Sequence, residues 1–226
     1  MIYMSKTSDF RPYHEFTRFE PSEMVQRAED FYTLLSKRRS VRSFSSEEIP
    51  DEVLDYAIKC AGTAPNGANK QPWHFVIVKD PQKKREIRIA AEKEEHLFYN
   101  ERAPEDWLAD LEQFDTNEHK PFIEEAPALI AIFSQSYHIK ESGKQEKHYY
   151  VKESVGIATG MLITALHQAG LATLTHTPSP MGFLNELLGR PKHEKAFLLL
   201  VCGYPKEGVE VPNIQKKPLN HIRTII

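Results

Sequence analysis

Between Lys37 and Arg42 the chain places four cations within six residues, Lys37, Arg38, Arg39 and Arg42, with Ser40 among them. Arginine presents a rigid planar fork that meets phosphate oxygens two at a time, so three guanidiniums and a hydroxyl in this spacing are able to hold one dianionic phosphate. The ordinary alternative is a solvated run at the end of a helix, where cations complement the macrodipole. Arg42 weighs against that alternative, because it lies beyond the apolar helical pattern, across Val41, where the dipole no longer accounts for it.

Three further groups have types and spacings that suit chemistry. Glu95 and Tyr99 are four apart and share a helical face, and Lys120 follows beyond a short helical pattern at Trp107, Leu108, Leu111 and Phe114. Residues 92–122 around them are polar, aromatic and irregular, which reads either as a mobile cover over a site or as a solvated helical insert. The segment Thr63 to Asn69 is small and turn-prone. It either lets backbone groups approach a flat ligand or is an ordinary helix-to-strand turn. In Thr177-Pro178 the proline biases Thr177 towards extended backbone, so its hydroxyl and amide project from the end of a strand.

Several chemistries are excluded. There is no GxGxxG or GxxxxGK[ST], and no two glycines are separated by a single residue, so the usual dinucleotide and nucleoside-triphosphate cradles are missing. GxSxG and HExxH are also absent, and His74, His176 and His193 read as satisfied or exposed side chains rather than catalysts. A phosphate grip without a dinucleotide loop suits a mononucleotide cofactor.

The 226 residues suffice for one sizeable domain with its own core. A formal charge of -3, with 27% charged residues of both signs, argues against a nucleic-acid or anionic-membrane surface. Cys60 and Cys202 show no CxxC spacing, which favours a reducing compartment. Met1 to Pro12 lacks an apolar core of signal-peptide length, and no apolar run approaches a membrane span, so a soluble cytoplasmic protein is expected.

The elements that must position these residues follow from periodicity. Residues 1–22 form an expected extended arm, and 23–226 a single domain with a tail over 206–226. Met24, Ala28, Phe31 and Leu35 predict a helix from Glu23 into the basic cluster. A second helix opens after Pro50 and stops near Gly62. QPWHFVIVKDP and APALIAIFSQ predict strands, 82–100 a helix, and the polar stretch to Lys147 a loop. The helix from about Tyr149 to Gln168 is apolar around most of its circumference and should be buried nearly all round. Its Gly156 and Gly160 admit close approach of another helix, in a core or across a dimer interface. LATLTHTP predicts a strand, 183–188 a short helix, and KAFLLLVCGYP a final strand.

Taken together, RRSVRSF at 38–44, AGTAPNGA at 61–68, QPWHFVIVKDP at 71–81, the long segment from His148 to Pro178, LLGRPKHEK at 187–195 and GYPKEGVEVP at 203–212 resemble the nitroreductase superfamily of flavin enzymes. Within it they are similar to the iodotyrosine deiodinase family. The resemblance implies an α+β fold, a three-layer α/β/α sandwich with a mostly antiparallel mixed sheet, in an intertwined homodimer with FMN at its interface. It implies phosphate binding by Arg38, Arg39 and Arg42, helped from the tail by Lys216, where the family's mammalian members carry arginine. Ser40, Asn66, Gly67, Thr175, His176 and Thr177 would meet the rest of the flavin, and Thr177 would be the catalytic hydroxyl that lets electrons pass singly. Substrate recognition would fall to the Ala68 backbone, Glu95, Tyr99 and Lys120 in a lid over 92–122. A carboxylate facing an ammonium and a lysine facing a carboxylate together suit a free amino acid. The implied reaction is reductive dehalogenation of halotyrosines, with electrons from NAD(P)H or from a partner reductase. A general NAD(P)H-dependent nitroreductase and a flavin-storing protein are the alternatives.

Overall fold

The computed structural model describes residues 10–226. The first nine positions of the expected arm lie outside them. By its contacts the chain divides into two units, one ending at Lys37 and one spanning Arg38–Ile226.

In the first unit, helix α1 (Pro21–Ser36) begins two residues earlier than its apolar pattern suggests. Pro21 occupies its first turn, where a missing N–H costs nothing and φ is already helical. The helix buries none of its residues, and Met24, Val25, Phe31 and Tyr32 are exposed. Arg27 pairs with Glu23 one turn back at 2.9 Å and lies over the Phe19 ring.

The second unit is built on a four-stranded sheet of order β1 (Trp73–Val78), β2 (Ala128–Gln135), β6 (Glu194–Gly203), β5 (Ala172–His176), each neighbour antiparallel to the next. A parallel bridge from Ser40 to Thr173 lays the basic cluster along β5. β2 and β6 are central, buried on both faces, and accordingly read as near-continuous apolar runs. Alternate residues feed two cores. Leu129, Ala131, Phe133, Leu199 and Val201 pack on one face with α3 (Pro81–Leu97), α5 (Phe122–Glu125) and α7 (Gly182–Leu187). Ala128, Ile130, Ile132, Leu200 and Cys202 pack on the other with α2 (Asp51–Gly62) and α6 (Val151–Gln168). This is the expected α/β/α arrangement with an antiparallel sheet.

Two expectations need correction. The polar stretch before Lys147 is not a loop but a hairpin, β3 (Tyr137–Ile139) and β4 (Gln145–Lys147), which forms its own two-stranded sheet. Its residues carry charge on both faces, so no apolar alternation announced it. Helix α6 buries Val155, Ala158, Leu162 and Leu166, yet leaves Gly156, Ile157 and Gly160 exposed. A Cβ built on either glycine meets nothing within 4 Å. The opposite face of this helix is therefore unpartnered among the described residues.

Helix α3 is capped by Asp80, whose side chain accepts from the Lys83 amide at 2.7 Å. It runs into a π-helical turn (Phe98–Arg102), which wraps into α4 (Glu105–Glu112). None of the described helices is long and apolar enough to cross a membrane.

Candidate active site

The end of β5, Arg42 at the far end of the basic cluster and the irregular 92–122 segment border a cavity of about 320 Å³. Its lining includes Glu95, Tyr99, Lys120, Thr175, His176 and Thr177. Helical periodicity places Glu95 and Tyr99 on one face of α3 and its π-helical extension. The fold brings Lys120 back against them from just before α5. Lys120 is 3% exposed, and its Nζ lies 3.1 Å from Glu95 Oε2. It also donates to Thr116 Oγ1 at 3.3 Å and to the Asn117 carbonyl, and it stands 5.3 Å from the centre of the Tyr99 ring. Burial pushes the Lys120 pKa down and the Glu95 carboxylate pulls it back up. The Tyr99 phenol is raised, first by burial. Two opposite charges are thus held against one another in a partly dry cavity.

A second, smaller recess of about 70 Å³ is lined by Arg38, Arg39, Ser40, Arg42 and Lys216. Arg42 lines both spaces. Arg39 donates to the Pro212 carbonyl, which fixes the tail against the cluster. Among the described residues, none of Arg38, Arg39, Arg42 and Lys216 has a carboxylate partner. Four cations converging without a counter-ion are a donor set for a dianionic phosphate. Burial lowers the Arg42 pKa, and Tyr99 opposes that shift.

Asn66, Gly67 and Ala68 line neither recess. They sit in a turn before β1, where Ala68, Asn69 and Gln71 all adopt positive φ, at 52°, 54° and 48°. Within one chain, the fold therefore brings three of the four sequence-marked groups to the two recesses, and the Thr63–Asn69 segment lines neither. Sequence reasoning also missed Thr116 and Phe122 as cavity lining and Pro212 as the holder of Arg39. No local pattern marks those three, because each acts through contacts made only on folding.

His176 corrects an expectation. It is neither exposed nor satisfied: the residue is 8% exposed, and its Nε2 has no hydrogen-bond partner among the described residues. Its ring meets Phe122 edge-on at 5.8 Å. Burial first, and then the Lys120 charge, push its pKa from 6.5 down to about 3. Because the folded value lies below the unfolded one, the neutral ring's contribution is complete above pH 6.5 and is lost as pH falls towards 3. The slope for one proton is up to about 1.4 kcal/mol per pH unit. Chemical unfolding between pH 6.5 and 4 should show the wild type losing stability more steeply than His176→Leu.

A sequence profile of the nitroreductase family matches residues 35–204. The chain belongs to the nitroreductase family. This nitroreductase-family chain is 52% identical to an iodotyrosine deiodinase from Haliscomenobacter hydrossis, over 95% of its own length and 96% of that relative. It is 47% identical to iodotyrosine deiodinase 1 of Homo sapiens, over 92% of this chain and 72% of that protein. Among solved structures, an oxidized iodotyrosine deiodinase bound to FMN and 3-iodo-L-tyrosine superposes with a TM-score of 0.73. It is 32% identical and matches over 86% of this chain and all of that one. A BluB-like flavoprotein from Clostridium difficile, at 22% identity and a TM-score of 0.66, shares the fold.

Proposed function

We propose that this protein is an FMN-dependent oxidoreductase that removes halogen from halotyrosines, converting iodotyrosine to tyrosine and iodide. The observation that carries the reading is the opposed Glu95–Lys120 pair, 3.1 Å apart, in the same cavity as Thr177. An amino acid zwitterion offers an ammonium for Glu95 and a carboxylate for Lys120, so it exchanges one buried ion pair for two. A neutral aromatic leaves the pair closed. Identity of 45–52% to named iodotyrosine deiodinases, and the likeness to one bound to FMN and 3-iodo-L-tyrosine, support the same reading.

The recess fits the cofactor's phosphate on the chemistry of its donors, and we assign that phosphate to Arg38, Arg39, Ser40, Arg42 and Lys216. Bound FMN, once reduced, would supply the two electrons that, together with one proton, replace the carbon–halogen bond with carbon–hydrogen and release halide. The chain's own residues bind and order the reactants. Thr177 holds a hydroxyl proton at the open end of β5 for donation to the flavin edge, with the Thr175 and His176 backbone alongside. Glu95, Tyr99 and Lys120 grip the amino acid's polar end, while the 92–122 segment, as a lid, excludes water. The Ala68 amide is the donor for the substrate's phenolate oxygen, with Asn66 and Gly67 against the flavin.

These last three groups belong, in this reading, to the second copy of a homodimer. Their separation from both recesses supports that arrangement, as do the unpartnered Gly156–Gly160 face and the exposed apolar side chains of α1. The arm and the end of the tail beyond Lys216 then pack on the neighbouring subunit, while Val209 to Lys216 stay on the chain's own core and basic cluster.

Anaerobic mixing of dithionite-reduced, FMN-loaded protein with iodotyrosine should reoxidise the flavin and yield tyrosine and iodide in equal amounts. A flavin that stays reduced would replace the reading with flavin storage. Turnover of nitroaromatics without any response to iodotyrosine would replace it with a general nitroreductase.

A further inference from the structure

The turn that carries Ala68 is costly to hold. Three non-glycine residues out of four, Ala68, Asn69 and Gln71, lie in the left-handed region, which L-residues adopt at a penalty of about 1–2 kcal/mol each. Such conformations persist only where surrounding contacts over-determine them.

Part of that restraint is local. Asn66 Oδ1 accepts from the Gln71 amide at 2.8 Å, its Nδ2 donates to the Ala64 carbonyl at 3.1 Å, and the Lys70 amide closes on the Gly67 carbonyl at 3.1 Å. Gly67 lies so close to the backbone of Tyr149 and the ring of Tyr150 that a Cβ would stand 3.0 Å from both.

The remaining tie reaches across the fold. Lys70 Nζ pairs at 3.0 Å with Glu146 Oε2, both side chains being largely shielded. Glu146 sits at the middle of β4, opposite His138 of β3. The groups facing its carboxylate are Lys70, Lys140 at 3.1 Å and His138 Nε2 at 3.3 Å, with the His148 ring packed behind His138. The lysines hold the Glu146 pKa at about 2, so the carboxylate stays ionised. An isolated two-stranded hairpin is marginal in water, and this one is anchored at its base. The His148 amide donates to the Ser136 carbonyl at 2.9 Å, and His148 Nδ1 meets the Gln135 carbonyl at 2.9 Å. The base of the hairpin is therefore fixed to the main sheet, and from the middle of β4 the Glu146 side chain reaches the strained turn.

We propose that the β3–β4 hairpin is a clamp for residues 66–71, with Lys70–Glu146 as its latch, making Lys70 and Glu146 positioning residues that act through the Ala68 amide. The clamp's effect on substrate rests on the halotyrosine reading above, whereas its hold on the turn does not. The test therefore has two arms, both on FMN-loaded protein.

In the first arm, amide hydrogen exchange over residues 67–71 is compared between wild type, Lys70→Ala and Glu146→Gln. Exchange should accelerate about twofold to fivefold in both variants, fivefold being the upper worth of a partly exposed ion pair. Lys70→Arg and the charge reversal Lys70→Glu/Glu146→Lys should restore protection. Unchanged exchange would overturn the clamp.

In the second arm, a fluorotyrosine is titrated against flavin fluorescence across pH. The variants should bind it about fivefold more weakly, with the bound phenol's apparent pKa raised, a shift that a merely structural loss would not produce. Wild-type affinity and phenol pKa in the variants would overturn the positioning role. Should wild type fail to bind halotyrosines while the variants still speed exchange, the clamp stands and the halotyrosine reading falls.

Discussion

Lys120→Ala is expected to abolish practical halotyrosine binding, raising Kd from about thirtyfold to a few thousandfold. The range follows from the 2–5 kcal/mol typical of truncating one partner of a buried, hydrogen-bonded charge pair. The residue is 3% exposed and sits 3.1 Å from Glu95. Removing its ammonium takes away the counter-charge for the substrate carboxylate and leaves Glu95 unpaired in a cavity that excludes most water. Glu95→Gln should act from the other side with a loss of similar size, by removing the partner of the substrate ammonium. Since the two residues touch, the double variant should lose much less than the sum of the singles. Quenching of flavin fluorescence by iodotyrosine measures all three, and FMN content serves as the control. If Lys120→Ala keeps its affinity within twofold, the zwitterion clamp is wrong.

Arg42→Ala should have the second largest effect, and it should be seen at both ends of the site. Arg42 lines the recess of Arg38, Arg39 and Lys216 as well as the cavity of Glu95 and Lys120. Its loss should weaken FMN binding at least about tenfold, since each hydrogen bond to a charged group contributes about 1.5–3 kcal/mol. Arg42→Lys should recover only part of this, because an ammonium keeps the charge and loses the fork. Riboflavin is the decisive comparison, as it lacks the phosphate. Titration of apoprotein should show Arg42→Ala discriminating poorly between FMN and riboflavin, while wild type strongly prefers FMN. Equal losses for both flavins would assign Arg42 to the ring or the lid and remove it from the phosphate grip.

Phe114 gives Arg42 a further tie, with its ring 5.7 Å from the guanidinium. Because Phe114 follows α4, the 92–122 segment borders the recess of Arg38, Arg39 and Lys216 as well as the Glu95–Lys120 cavity. Its apolar periodicity with Trp107 and Leu111 was visible in the chain. Its partner was not.

How much could be read from the chain depends on the range of the interaction. The Arg38–Arg42 cluster, the Glu95–Tyr99 face and the Pro50 helix start are set by neighbours within about one helical turn, so spacing alone revealed them. The strands β2 and β6 were legible because burial on both faces forces a continuous apolar run. The β3–β4 hairpin was not, since its residues are charged on both sides and its stability comes from Lys70 and the main sheet. His176 misled for a related reason: its sequence context is an ordinary alternating strand, and only packing against Phe122 and Lys120 makes it a neutral, unpartnered ring.

The chain's order of residues by itself determined the run of cations and serine over 38–42, the two central apolar strands and an acid and an aromatic on one helical face, because each rests on periodicity or adjacent chemistry. Only the folded structure decided that Lys120 closes on Glu95 from 25 positions away, that Arg42 lines two cavities, and that Ala68 stands in a turn whose Lys70 pairs with Glu146. Those three outcomes depend on which distant surfaces bury each other, and local sequence carries no measure of that.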